Sequence, residues 1–238
     1  MTYCMALRLN EGLIFLSDTR TNAGVDNVGN YRKLHILRPA DDRVFVVQSA
    51  GSLATTHEVL DRVRADIDMP GDQESLRTVA SLHEAAIYLG RLNREITQRH
   101  WAALGTSATA TFIVGGQISG ERPDILMVYP EGNYIHVSDE RPFLQIGESK
   151  YGKFMLELAV QAKVDMRTAI KIALSSMVST AHANLSVGPP YDLGLYRNGS
   201  LEVEEFRLEA DSAYLASLLD VWMHHFLDAI HQLPALPD

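Results

Sequence analysis

Residues 2–20 read TYCMALRLNEGLIFLSDTR. Two apolar runs, Tyr3 to Leu9 and Leu13 to Asp18, flank Asn10-Glu11-Gly12, a short loop ending in glycine. Apolar runs joined by so few residues predict an antiparallel hairpin. If Leu9 pairs with Leu13 across a three-residue loop, Thr2 faces Arg20. Alternation then puts Asp18 on the face of Thr2, at the diagonal position roughly 7–8 Å away. A carboxylate there is placed to hold a cation, and Lys33, opening the next strand, is the candidate. Asp18 and Arg20 read equally well as a charge pair at a strand end, with Lys33 solvated.

Thr2 has its own chemistry. An initiator Met followed by a small residue is a substrate for removal, which leaves Thr2 with a hydroxyl and a free α-amine. Such a residue is nucleophile and base at once, because an amine of pKa near ~8 accepts the hydroxyl proton. Many chains begin Met-Thr without this meaning, so Thr2 alone decides little.

Outward from the hairpin, Lys33 to Leu37 and Val44 to Ala50 form a second strand pair around Pro39-Ala40-Asp41-Asp42. Helical periodicity follows over Ser52 to Ile67 and Ser75 to Leu104, the latter with Leu76, Val79, Leu82, Ala86, Leu89, Leu92 and Ile96 at three- and four-residue steps. Strands return at Thr109 to Val114, Ile125 to Tyr129, Tyr134 to Val137 and Phe143 to Ile146. One helix begins near Tyr151 and another follows Asp165, a side chain suited to an N-cap. Tyr191 to Arg197 and Leu201 to Leu208 form a last hairpin around Asn198-Gly199. A final helix carries a wide stripe from Leu215 to Ile230, expected to be core, although it is broad enough to meet a neighbouring subunit. Blocks of strands alternating with blocks of helices argue for an α+β fold of antiparallel sheets with helices outside. With no linker, repeat or low-complexity run, residues 1–238 read as one domain.

The formal net charge of −9 comes with no Lys/Arg cluster, so no nucleic-acid or anionic-membrane partner is expected. No apolar run reaches bilayer length, and the N-terminus lacks the basic start and apolar run of a secretion signal. The single cysteine, Cys4, excludes an intramolecular disulfide and fits a reducing compartment. These features predict a cytoplasmic protein. The histidines show no paired metal spacing. Gly147 to Lys153 fits seven places of a phosphate-binding loop, but Phe154 stands where a hydroxyl would ligate magnesium. No metal or cofactor is expected.

The order Thr2, Ser17-Asp18-Thr19-Arg20-Thr21, Arg32-Lys33-Leu34 and Ser49-Ala50-Gly51-Ser52-Leu53-Ala54 resembles the proteasome β-subunit pattern. The resemblance is nearest to the Anbu branch, the bacterial proteasome-related N-terminal-nucleophile hydrolases. Their chains begin Thr-Tyr-Cys and carry stretches similar to Thr21-Asn22-Ala23-Gly24-Val25-Asp26-Asn27 and Asn184-Leu185-Ser186-Val187-Gly188-Pro189-Pro190. The resemblance spans nearly the whole chain and implies a four-layer α-β-β-α sandwich. It implies Thr2 as nucleophile, Lys33 lowering the pKa of the amine, Asp18 orienting Lys33, and the Gly51 N–H as oxyanion donor. It implies further that Thr21 and Asn22 pair with an extended substrate backbone, and that Ser49 and Leu53 line the specificity pocket. The implied activity is a threonine peptidase or amide hydrolase acting on peptide or unfolded protein within a ring or shallow helical homo-oligomer. The alternative is an assembly-forming or peptide-binding scaffold with little activity. Two departures stand out. The family's Asp-x-x-Ser falls on Asn184 and Val187, beside Ser186, and its Gly-Ser-Gly loop reads Gly147-Glu148-Ser149.

Overall fold

In the computed structural model, which describes residues 2–22, 28–69, 71 and 73–236, the first hairpin joins β1 (Tyr3–Arg8) to β2 (Gly12–Asp18). The expected register is off by one. Leu9 and Gly12 exchange both backbone hydrogen bonds, at 2.8 and 3.3 Å, so the loop has two residues, Asn10 and Glu11. Arg8 therefore faces Leu13 and Cys4 faces Ser17. Carried one residue further, this register sets Tyr3 opposite Asp18, so alternation does not put Asp18 on the face of Thr2. The cause is Gly12, which belongs to the strand because the neighbouring strand passes too close for a side chain. A Cβ built there would lie 1.9 Å from the Tyr196 carbonyl oxygen.

β1 is buried along its whole length, and its side chains divide by alternation. Cys4 and Ala6 point between two sheets, whereas Tyr3, Met5 and Leu7 point toward helices. The first sheet has the order β10 (Phe143–Gly147), β1, β2, β11 (Tyr191–Arg197), β12 (Val203–Leu208). The second runs β5 (Leu34–Ala40), β6 (Arg43–Gly51), β7 (Ala110–Ile118), β8 (Asp124–Val128), β9 (Tyr134–His136). All described pairings in both are antiparallel. Phe15, Val44, Val46, Ile113 and Ile125 fill the space between the sheets with Cys4 and Ala6. Helices α1 (Leu53–Asp68) and α2 (Leu82–Leu104) cover the outer face of the second sheet, on Phe45, Val47 and Phe112. Helices α3 (Lys150–Ala159) and α4 (Met166–Ala183) cover the first. This is the α-β-β-α sandwich expected.

Three elements differ from expectation. α2 starts at Leu82 rather than near Ser75, because Ser81 caps it by accepting the Glu84 N–H at 3.2 Å while Glu84 accepts the Ala80 N–H at 2.7 Å. Leu76 and Val79 are still buried, from a turn that precedes the helix. A small ribbon of β3 (Arg20–Asn22) and β4 (Val28–Asn30) is an addition. Lastly, the stripe of the C-terminal helix α5 (Ala213–His231) is not core. Leu215 is its one buried residue, Leu218 and Leu219 pack partly on the cluster under α4, and Trp222 donates to Ser179 Oγ at 3.1 Å. Val221, Phe226, Leu227 and Ile230 stay about half exposed.

Gly12→Ala tests the register. The added methyl must push β11 away from β2, an overpacking that costs about 1–3 kcal/mol. The expected outcome is a lower denaturant midpoint with an unchanged slope; an unchanged midpoint would contradict the two-residue loop.

Candidate active site

Thr2 sits half-buried at the entrance to β1. The chain on either side of it is fixed by backbone hydrogen bonds. The Thr2 carbonyl accepts the Glu148 N–H at 2.7 Å, and the Tyr3 N–H donates to Asp18 Oδ1 at 2.9 Å. Asp18, the last residue of β2, is fully buried. Its Oδ1 also accepts Lys33 Nζ at 2.7 Å, and its Oδ2 accepts the Gly188 N–H at 3.3 Å. Lys33, immediately before β5, is 5% exposed and gives a second hydrogen bond to the Arg20 carbonyl at 2.6 Å. That decides between the two readings left open by the sequence. Lys33 is not solvated, and Arg20 does not pair with Asp18. Its guanidinium instead donates to the carbonyls of Leu185, at 2.8 Å, and Val187, at 3.4 Å.

Burial pushes the Asp18 carboxyl up, while the Lys33 ammonium and the N–H groups of Tyr3 and Gly188 work the other way and hold the charge. An ammonium has three N–H groups, and two of those on Lys33 are used among the described residues. Cys4, two residues from Thr2, is buried, with its Sγ 3.7 Å from the Ser49 carbonyl. Burial pushes its thiol up, so it is no competing nucleophile.

Gly51 ends β6 beside Ala110 with φ +113°, and it is exposed. A Cβ there would lie 2.4 Å from the Thr109 carbonyl. Ser52 then caps α1 by accepting the Thr55 N–H at 3.3 Å. Ser49 is buried, with its N–H donating to the Lys33 carbonyl at 3.2 Å, and Leu53 is half-buried at the start of α1. The strand end that carries Gly51 thus also holds the backbone of Lys33. Thr21 and Asn22 lie on β3, paired with Gly29 and Val28. The Asn22 side chain and residues 23–27 of the stretch singled out above fall outside the described residues, as does Met1.

The remaining residues come from the loop after α4. Asn184 ends that helix, and its Nδ2 donates to Glu148 Oε2 at 2.9 Å. Its Oδ1 accepts the Ser186 N–H at 2.9 Å. Val187 is buried in the cluster under α4, so it serves packing. Ser149 precedes α3 without capping it and lines a cleft with Phe143, Gln145 and Lys153. Arg20, Gly188 and Thr19, whose Oγ1 donates to the Pro190 carbonyl at 2.8 Å, were not singled out from the sequence as site residues. Their signal was present in the Asp-x-Arg and Val-Gly-Pro-Pro stretches, but their partners lie some 170 residues apart in the chain. Among the described residues, no group of three or more His, Cys, Asp or Glu is placed to hold a metal, and no helix is long and apolar enough to cross a membrane.

Comparison with known proteins bears on the family and the fold. Residues 2–193 match the family model described as proteasome subunit. No curated protein matches the chain. Among solved structures, Anbu (ancestral beta-subunit) from Yersinia bercovieri is 39% identical over 99% of this chain and 100% of its own, with a TM-score of 0.93. A structure described as the helical assembly of the Anbu complex from Pseudomonas aeruginosa is 38% identical over 99% and 98%, also at 0.93. An Anbu (Gly-1) mutant from Hyphomicrobium sp. strain MC1 is 39% identical over 100% of both chains, again at 0.93. With a family model matched over most of its length and such relatives end to end, the chain belongs to the proteasome family, and within it to the Anbu proteins.

Proposed function

We propose that the chain is a threonine-type amide hydrolase, with Thr2 as nucleophile once Met1 is removed, working as a single-domain subunit of a homo-oligomer in the cytoplasm. The observation that carries this reading is the buried Asp18–Lys33 pair beside the backbone of residues 2 and 3. The desolvation of an ammonium held at 2.7 Å from its carboxylate offsets much of what the pairing gains, so stability alone is a weak reason for the pair. Placed near a terminal amine, it disfavours protonation of that amine and stabilises an ionising hydroxyl.

On this reading, Thr2 Oγ attacks the substrate carbonyl carbon while its proton passes to the α-amine. The carbonyl oxygen takes the negative charge and is met by the Gly51 N–H. The intermediate collapses, the C–N bond breaks, and the departing amine takes the proton back from the α-ammonium. Water, activated by the same amine, then hydrolyses the Thr2 ester and restores the enzyme. Thr21 and Asn22, on the edge ribbon, pair with an extended substrate peptide, and Ser49 and Leu53 line the pocket for the residue before the scissile bond. The assembly reading draws on the Pseudomonas aeruginosa relative described as a helical assembly and on the uncovered apolar face of α5.

Hydrolysis of a fluorogenic peptide or amide should track the fraction of chains lacking Met1, measured by intact mass spectrometry. Thr2→Ala and Lys33→Ala are each expected to lower it by about 10^3-fold or more. Thr2→Ser should retain part of it. Equal activity in processed and unprocessed chains would exclude the amine mechanism, and fully processed chains inert toward varied substrates would favour a scaffold.

Assembly has a separate test. Phe226→Asp combined with Ile230→Asp places two charges on the α5 face that α4 leaves uncovered. Light scattering should show a smaller particle with unchanged helical content; a particle of unchanged mass would remove α5 from the contact.

A further inference from the structure

Glu148 and Asn184 are among the positions where the chain departs from the proteasome pattern that its sequence resembles, and the structure makes them one interaction. Asn184 Nδ2 donates to Glu148 Oε2 at 2.9 Å. The orientation of the amide is set from its other end, because Oδ1 accepts the Ser186 N–H at 2.9 Å. An Asp at 184 would instead set two carboxylates against each other, and one would have to carry a proton. Asn184 is thus suited to a carboxylate at 148, which it meets as a neutral donor.

Where Glu148 sits is fixed by its neighbour. Gly147 has φ +84°, and a Cβ on it would lie 1.9 Å from the Thr2 carbonyl oxygen. Without a side chain there, the Glu148 N–H reaches that oxygen at 2.7 Å. The Glu148 side chain is 10% exposed. Its second oxygen, Oε1, accepts no hydrogen bond among the described residues, and its nearest cation, the exposed Lys150, stands off at 3.9 Å. A nearly buried carboxylate with one oxygen pinned and one open, on the residue bonded to Thr2, is oriented for a donor.

The other charges around Thr2 are already committed. Asp18 and Lys33 pair with each other, and Arg20 is spent on the carbonyls of Leu185 and Val187. The loop of Asn184 also gives Asp18 its Gly188 N–H. Asp18 and Glu148 therefore bracket residue 2, one through the Tyr3 N–H and one through the Thr2 carbonyl, and residues 184–188 join them.

We propose that Glu148, oriented by Asn184, is a positioning residue that accepts a hydrogen bond from the Thr2 α-amine and holds its charge against Lys33. This rests on the reading of Thr2 as a free N-terminus and adds to it which group aims the base. An amine donating one N–H to Glu148 is turned so that its lone pair faces elsewhere, toward its own hydroxyl. The open carboxylate also offsets Lys33, which alone would leave the amine too weak a base to take the hydroxyl proton.

The test reads the amine directly. In processed chains, the pH dependence of Thr2 α-amine acetylation is followed by the mass of the N-terminal peptide, for wild type, Glu148→Gln, Asn184→Ala and the double variant Glu148→Gln/Asn184→Asp. Removing a neighbouring negative charge makes an ammonium more acidic. The labelling midpoint in Glu148→Gln should therefore move down by about 1 pH unit, and the acid limb of kcat/KM with it. The double variant rebuilds the same hydrogen bond with the charge on residue 184, and its midpoint should return toward wild type. Midpoints that coincide in all four chains would overturn the proposal, even if activity falls. A shifted midpoint in chains that hydrolyse nothing would keep Glu148 as the partner of the amine and remove the hydrolase reading instead.

Discussion

A carboxylate with no exposed surface has to be paid for, and Asp18 is satisfied by an ammonium and two backbone N–H groups. Each comes from a different part of the fold. Asp18 ends β2 in one sheet, while Lys33 leads into β5 in the other. Tyr3 opens β1, and Gly188 belongs to the loop between α4 and β11. Removing any one leaves a buried charge short of a partner, at a cost of several kcal/mol for the ammonium. The pair is therefore a structural tie between the sheets at the end where Thr2 enters, and the geometry of the site depends on it. Burial drives the Asp18 carboxyl toward its neutral form, and Lys33 first, then the N–H groups of Tyr3 and Gly188, oppose that drive.

Most of the layers could be read from alternation. Cys4 and Ala6 against Tyr3, Met5 and Leu7 sort to opposite faces in the structure as period two requires. What could not be read were contacts set by neighbours distant in sequence. Gly12 reads as a loop residue, and only the approach of Tyr196 makes it a strand residue. That one-residue slip moved Asp18 to the wrong face in the expected register. The α5 stripe has the composition of core. Nothing in its periodicity says whether the surface that covers it lies in the same chain. Lys33 was ambiguous for a related reason, since its partners, the Asp18 carboxylate and the Arg20 carbonyl, lie on earlier strands.

Glu148 and Asn184 illustrate the same limit from another side. Taken singly, each is a loss: a carboxylate where a hydroxyl is expected, and an amide where a carboxylate is expected. The 2.9 Å contact between them joins the two departures into one hydrogen-bonded pair, whose carboxylate lies just before α3 and whose amide ends α4. Val187 lies in the same loop: its side chain is buried under α4 and serves packing, while the adjacent N–H groups bond to Asn184 and Asp18.

Residue 2 is held without the use of the groups that define its chemistry. The hydrogen bonds that fix its position run through its carbonyl, to the Glu148 N–H, and through the next N–H, to Asp18. Neither involves the Thr2 nitrogen or hydroxyl. The site can therefore assemble whether or not Met1 is present, and on the reading proposed here its removal changes only the chemistry of one nitrogen, from a non-basic amide to an amine. On that reading the processed chain needs no conformational switch to become active, because the base appears in a site that Asp18 and Lys33 hold in place, in whichever order the sheets close and the terminal bond is cut.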